Sequence, residues 1–153
     1  MNGAQLHLAL NHVPVILSII SFAILLWGWL SKSPEIRKVA FTLIVVNAIF
    51  AGATFLTGEP AEEVLEKLPG FSEILVHEHE EAGEAALIVS IVAGVSALAA
   101  LYLAKKKPQF AHYALMISLF LMLLTSLAFL KTAHLGGLIK HDEIRPPTPD
   151  STR

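Results

Sequence analysis

Residues 74–84 read ILVHEHEEAGE, and the uncharged run AALIVSIVAGVSALAALYLA follows directly over residues 85–104. The first stretch is dense in histidine and glutamate. The second has the length of a helix that crosses a bilayer, which needs about 20 apolar residues. This junction predicts a cluster of ligand-type side chains at the mouth of a transmembrane helix.

Three further runs also lack any charged residue, at residues 13–30, 39–57 and 113–130. Each is long enough to span a bilayer, for which about 17 residues is the short limit. The hydrophobic content of 54% and the mean hydropathy of +0.63 exceed the usual values of a soluble domain. We therefore predict an all-α fold, a four-helix transmembrane bundle with an up-down-up-down path.

The chain reads as one membrane domain over residues 1–145, followed by a disordered, Pro-rich tail over residues 146–153. The first helix is predicted to open at Asn11-His12-Val13-Pro14, because proline suits a first helical turn. A short acidic helix is predicted after Gly58. The stretch 74–84 is expected to form the first turns of the third long helix. The fourth long helix is predicted to end near Lys131.

The charged residues divide between the two ends of this predicted bundle. The two short connections carry six of the eleven Lys and Arg residues, at positions 32, 37, 38, 105, 106 and 107. Twelve of the thirteen acidic residues lie on the opposite side. Because cytoplasmic loops carry an excess of Lys and Arg, both connections are predicted to be cytoplasmic. We expect a multi-pass protein of a bacterial inner membrane, with both termini on the periplasmic side.

Six of the seven histidines fall on that outer side, and only His112 falls on the inner side. The inner group of the six lies within a turn or two of an apolar run and consists of His12, His79 and His134. The group farther out consists of His7, His77 and His141. Three segments that are distant in sequence are thus predicted to bring imidazoles to one end of the bundle.

A b-type haem is one cofactor that such histidines bind, since its iron takes axial nitrogen ligands from two helices. The flat ring needs small residues near the ligand, and Gly83 follows His79 by one turn. We expect His79 to be one ligand and His12 or His134 the other. A second haem would recruit His7 or His141. This hypothesis makes the protein a haem b protein that takes part in electron transfer, with a quinone or a redox protein as its partner.

Binding or transport of a divalent or transition metal ion is the alternative, because His and carboxylate side chains suit such ions. His77 with Glu80 or Glu81 would share one helical face. A second alternative is a structural subunit of a membrane complex, in which the glutamates form a solvated rim. A homo-oligomer or a place in a larger complex is compatible with each of these readings.

Other functional classes find no support in the sequence. The chain has no cysteine, which excludes disulfides, Cys-ligated zinc, iron–sulfur clusters and covalent haem attachment. No nucleophile–base pairing, phosphate loop or carboxylate dyad is evident, so we expect a binding or electron-transfer subunit in place of a self-contained enzyme. We expect the lipid bilayer, and no nucleic acid, among its partners.

The histidine-containing motifs resemble those of a family of predicted bacterial membrane proteins of unknown function. Leu6-His7 and Asn11-His12-Val13-Pro14 are similar to the family's Leu-His-Pro…Val-His-Phe-Pro opening. Residues 132–141, TAHLGGLIKH, are similar to its Thr-Gly-His-x-Gly-Gly ending. Leu8, Ala133 and Asp142 depart from the family pattern. Some members are joined to Rieske domains, so the resemblance implies an electron-transfer context and favours haem.

Overall fold

The computed structural model describes residues 2–141 and 145, and its regular secondary structure there is entirely helical. The helices are α1 (Gly3–Leu10), α2 (His12–Leu30), α3 (Pro34–Phe55), α4 (Gly58–Leu65), α5 (Glu73–Lys106) and α6 (Ala111–Lys140). A short 3₁₀ turn, Pro108–Phe110, precedes α6. The predicted all-α four-helix architecture is confirmed. The predicted disordered tail, residues 146–153, lies outside the described residues.

Four helical segments are long and apolar enough to cross a membrane: Gly3–Leu30, Pro34–Leu65, Glu73–Lys106 and Pro108–Lys140. Large apolar side chains such as Ile49 and Val95 point outward, whereas small residues such as Ala86 and Ala97 are buried between the helices. A Cβ on Gly94 would lie only 2.9 Å from the Cβ of Ala48. Small residues at helix contacts are typical of membrane bundles, because they let the backbones approach closely.

A tight turn joins α2 and α3 as antiparallel neighbours. Ser33 caps α3 by accepting a 3.3 Å hydrogen bond from the Ile36 N–H, and Pro34 occupies the first turn. Arg37 Nε donates to the Gly28 carbonyl at 2.9 Å and ties α3 back to α2. We call this the basic end of the bundle, because Lys32 and residues 105–107 lie at the same end.

The opposite end is the histidine end, where α1 and α4 lie together. α1 packs so closely on α4 that a Cβ on Gly3 would overlap the Pro60 backbone. The hydroxyl of Thr54, near the end of α3, donates to the Leu10 carbonyl at 3.3 Å. Asn11 lies between α1 and α2 and keeps a helical backbone conformation, so the two helices follow one another within one span. These contacts hold α1 beside α3 and α4.

The fourth long helix, α6, runs to Lys140, so the predicted end near Lys131 is wrong. Gly136 stays helical and packs against the His79 ring of α5. The Arg145 guanidinium donates to the carbonyls of Leu138 and Ile139, each at 2.8 Å. These are among the carbonyls that a helix end leaves without intrahelical partners. Gly136 therefore serves helix packing at this position, and neither it nor Gly137 ends the helix.

Candidate functional site: a histidine pair at one end of the bundle

His79 lies half-buried on α5, with its ring held against α6. Its Nδ1 is 3.0 Å from the backbone oxygen of Thr132. A carbonyl oxygen only accepts hydrogen bonds, so Nδ1 carries the proton and donates it. The neutral ring then has its lone pair on Nε2. Gly136 makes room for this ring, since a Cβ there would lie 3.0 Å from the His79 Cε1.

His7 lies half-buried on α1 and is held by the turn between α3 and α4. Its Nδ1 is 3.0 Å from the Thr57 hydroxyl. That hydroxyl donates its single proton to the Thr54 carbonyl at 2.6 Å. The hydroxyl oxygen can therefore only accept from His7, which places the His7 proton on Nδ1 and its lone pair on Nε2.

His7 and His79, here called the histidine pair, are neighbours. Their ring centroids are 6.3 Å apart and the ring planes are nearly perpendicular, at 85°. Both rings are fixed through Nδ1 and both keep an Nε2 lone pair. Two acceptor nitrogens cannot hydrogen-bond to each other without an added proton. The two Nε2 lone pairs are suited to bind an electron-pair acceptor such as a metal ion. Histidines that bind metals are commonly held through their other ring nitrogen in this way.

The other histidines of the predicted site are exposed. His12 is exposed, with its Nδ1 3.4 Å from the Leu8 carbonyl. His134 is exposed as well, and it is two residues from Thr132. Two residues turn an α-helix by about 200°, so His134 faces away from His79. His141 is exposed at the end of α6. The structure thus brings His79 together with His7, and not with His12 or His134.

Gly83, expected to clear space for a haem beside His79, faces α6. A Cβ on Gly83 would lie 3.8 Å from the Thr132 Cγ2. The glycine that contacts the His79 ring is Gly136, on the neighbouring helix. Gly136 lets α5 and α6 approach closely where His79 bonds to Thr132, whereas a Cβ on Gly83 would make only an ordinary contact.

The residues proposed for a non-haem metal lie on the outer surface of α5. His77 Nε2 is 3.3 Å from a Glu81 carboxylate oxygen, and both side chains are 70% exposed. Glu80 is exposed too. Within residues 2–141 and 145, no group of three or more His, Asp or Glu side chains is arranged to hold a metal ion.

A groove of about 520 Å³ opens between α5 and α6 near the histidine end. Its lining combines Lys131 with two carboxylates and a small apolar floor, formed by Glu78, Glu81, Ala82, Ala85 and Leu135. This places Lys131 among acidic side chains.

The sequence did not single out the groups that hold the histidine pair. These are the Thr57 hydroxyl, the Thr132 carbonyl and the space above Gly136. The spacing of Thr132 and Gly136 could have indicated a shared role. The two are four residues apart, so they lie on the same face of a helix. Thr57 carries no comparable signal, because its role depends on how α1 packs beside α4. No protein-family model, curated protein or solved structure matches this chain.

Proposed function

We propose that this is an integral membrane electron-transfer protein that binds a b-type haem through the histidine pair, His7 and His79. The observation that carries the proposal is the shared geometry of the two rings. Each is anchored through Nδ1, by Thr57 or by Thr132, and each keeps Nε2 for a ligand. Two axial imidazoles from two different helices are a common ligand set of b-type haem iron.

The number of ligands favours haem over a site of the zinc type. Structural zinc sites take four protein ligands and catalytic ones take three. No third histidine or carboxylate completes such a set within the described part of the chain. Haem iron needs only two axial ligands from the protein, because the macrocycle supplies the other four nitrogens.

The two rings are neighbours, with their centroids 6.3 Å apart. The lone pair of each ring lies on Nε2, so these two nitrogens are the atoms that would bind the haem iron. When bound, haem supplies a one-electron redox couple. The chain's own contribution is to hold the two nitrogens in place and to exclude water from one side of each ring.

The charge asymmetry gives the proposed orientation. With the Lys- and Arg-rich connections in the cytoplasm of a bacterium, the histidine pair faces the periplasmic side of the inner membrane. His79 precedes the uncharged run 85–104 by six residues, or about 9 Å of helix. The site then lies at the membrane surface, within reach of a quinone at the interface or of a periplasmic redox protein.

Absorption spectroscopy of the purified full-length protein tests the proposal. We expect a Soret band and a reduced α-band in the wild type. His7→Ala and His79→Ala should each lose most of the haem. His77→Ala and His112→Ala are matched controls, one an exposed neighbour on α5 and the other at the basic end, and both should keep it. Retention of full haem by His79→Ala would contradict the proposed ligand.

A non-haem metal site is the second candidate, favoured by the short contact between His77 and Glu81. Metal analysis of the same samples distinguishes it. A metal that survives Ala substitution at 7 and 79, and is lost on substitution at 77 or 81, would assign the function to this exposed pair. If the wild-type protein binds neither haem nor metal, the remaining hypothesis is a structural role in a membrane complex.

A further inference from the structure

The groove between α5 and α6 contains a cation and two carboxylates that do not pair with one another. Lys131 of α6 lines it together with Glu78 and Glu81 of α5, and its volume is about 520 Å³. Within residues 2–141 and 145, no ion pair involves Lys131. One oxygen of Glu81 is 3.3 Å from His77 Nε2, a nitrogen that is charged only when His77 is protonated. The volume is in the range of small-molecule sites.

Contacts between α5 and α6 give the register of the two helices beside this groove. Gly83 of α5 lies against Thr132 of α6. Four residues earlier on α5, His79 lies against Gly136, which is four residues later on α6. The two helices are therefore antiparallel along this contact. Lys131, which precedes Thr132, is level with the residue that follows Gly83.

The charges that line the groove are ordered by depth in the membrane. Lys131 directly follows the uncharged run 113–130, so we expect its ammonium group at the edge of the hydrocarbon region. On α5, Glu81 lies three residues outside the level of Lys131 and Glu78 lies six residues outside it, which is about 4.5 and 9 Å along the helix. From the membrane outward, a bound molecule would meet first the cation and then the two carboxylates.

Exposed apolar side chains continue the groove toward the basic end. Ile88 of α5 and Leu127 of α6 lie about one turn deeper than the charged residues, and both are exposed. Val92 and Leu124 lie about one turn deeper still and are exposed as well. By the register given above, the members of each pair lie at nearly the same level on the two helices. An apolar surface thus leads from the charged groove into the bilayer.

We propose that the groove binds a phospholipid whose headgroup carries a primary ammonium group beyond its phosphate. The Lys131 ammonium donates to the phosphate at the edge of the hydrocarbon region. The carboxylates of Glu81 and Glu78 accept hydrogen bonds from the ammonium group of the lipid, which lies farther out. The acyl chains pack on the exposed apolar side chains below. The observation that carries this proposal is the order of the protein charges, which is opposite to the order of the headgroup charges.

The charges of the groove also distinguish between headgroups. One Lys and two Glu give the lining a formal net charge of −1. A net anionic headgroup such as phosphatidylglycerol would bring no cation to the two carboxylates. Phosphatidylcholine brings a cation, but its quaternary ammonium has no N–H group to donate. Phosphatidylethanolamine has both the positive charge and the donors, so we expect it to bind in preference to the other two lipids.

Native mass spectrometry of the full-length protein tests this preference. The protein is released from nanodiscs that contain equal amounts of the three lipids with identical acyl chains. The wild type should retain phosphatidylethanolamine over each of the others by about two- to fivefold, the effect expected of exposed ion pairs. The double variant Glu78→Gln/Glu81→Gln should lose the preference over phosphatidylcholine. Lys131→Gln should retain less of all three lipids.

Glu84→Gln and Lys140→Gln are matched controls, because both side chains are exposed and neither lines the groove. Both should keep the wild-type preference. Equal retention of the three lipids by the wild type, or a preference for phosphatidylglycerol, would overturn the proposal without recourse to any variant. A lipid-free dimer would overturn it too, since a second copy would then cover this face. The measurement reads the mass of bound lipid, so its result does not depend on whether the protein binds haem.

Discussion

At the scale of single residues, the histidine pair depends on neighbouring groups that hold each ring through Nδ1 or by leaving space for it. Thr57 and Thr132 fix the tautomer of each ring, through a hydroxyl and a backbone carbonyl respectively. Gly136 fixes the position of the His79 ring by having no side chain. Each acts through an imidazole, so each is a positioning residue for the proposed haem.

Gly136→Ala is expected to weaken haem binding about 10–100-fold, the usual cost of disturbing groups that orient a metal ligand. The added Cβ would lie 3.0 Å from the His79 Cε1, so the ring must move. Gly52→Ala is the matched control, because that helical glycine has open space around it. It should leave the haem spectrum unchanged and stabilise the fold by about 0.4–1 kcal/mol. Haem titrations of both variants make the comparison, and equal affinities would contradict the role of Gly136.

At the scale of helices, α1 and α4 support the site although neither spans the membrane alone. Each has eight residues, and isolated helices shorter than about 12–15 residues are marginal in water. Their order therefore comes from packing against each other and against the end of α3. Because His7 lies on α1, its position depends on this packing.

Gly3→Leu is expected to separate α1 from α4, since even a Cβ at this position would overlap the Pro60 backbone. Backbone amides of α1 should then exchange with deuterium at least about tenfold faster, as local opening becomes easier. The protection of α5 and α6 should be unchanged. Gly58→Ala is the control, since nothing lies near a Cβ at that position. Unchanged exchange in α1 would show that it is held by other contacts.

The long helices were predictable because a run of about 20 uncharged residues is a strong signal. The extension of α6 beyond Lys131 could not be predicted, because adjacent glycines such as Gly136 and Gly137 more often mark a helix end. The pairing of His7 with His79 was also missed. It depends on two short helices, α1 and α4, whose positions follow from tertiary packing and not from local periodicity.

At the scale of the whole molecule, the four long helices divide the charges between two ends. The basic end collects the Lys- and Arg-rich connections, and the histidine end collects the acidic residues of α4 and the start of α5. This separation determines which way the protein is expected to insert, because insertion follows the distribution of Lys and Arg.

Single-cysteine variants test the orientation cleanly, since the chain has no cysteine of its own. Glu63→Cys, exposed on α4, should react with a membrane-impermeant maleimide in intact bacterial spheroplasts. Lys106→Cys, exposed at the basic end, should react only after permeabilisation. The reverse pattern would place the histidine pair on the cytoplasmic side.

The lengths of α5 and α6 have a practical consequence. α5 starts twelve residues before its uncharged run and α6 continues ten residues beyond its own, so both project roughly 15–18 Å past the apolar segments. Together with α1 and α4, these extensions form a head at the histidine end, which we expect to project from a detergent micelle. A nanobody raised against this head would supply the asymmetric mass that single-particle imaging needs to align so small a membrane protein.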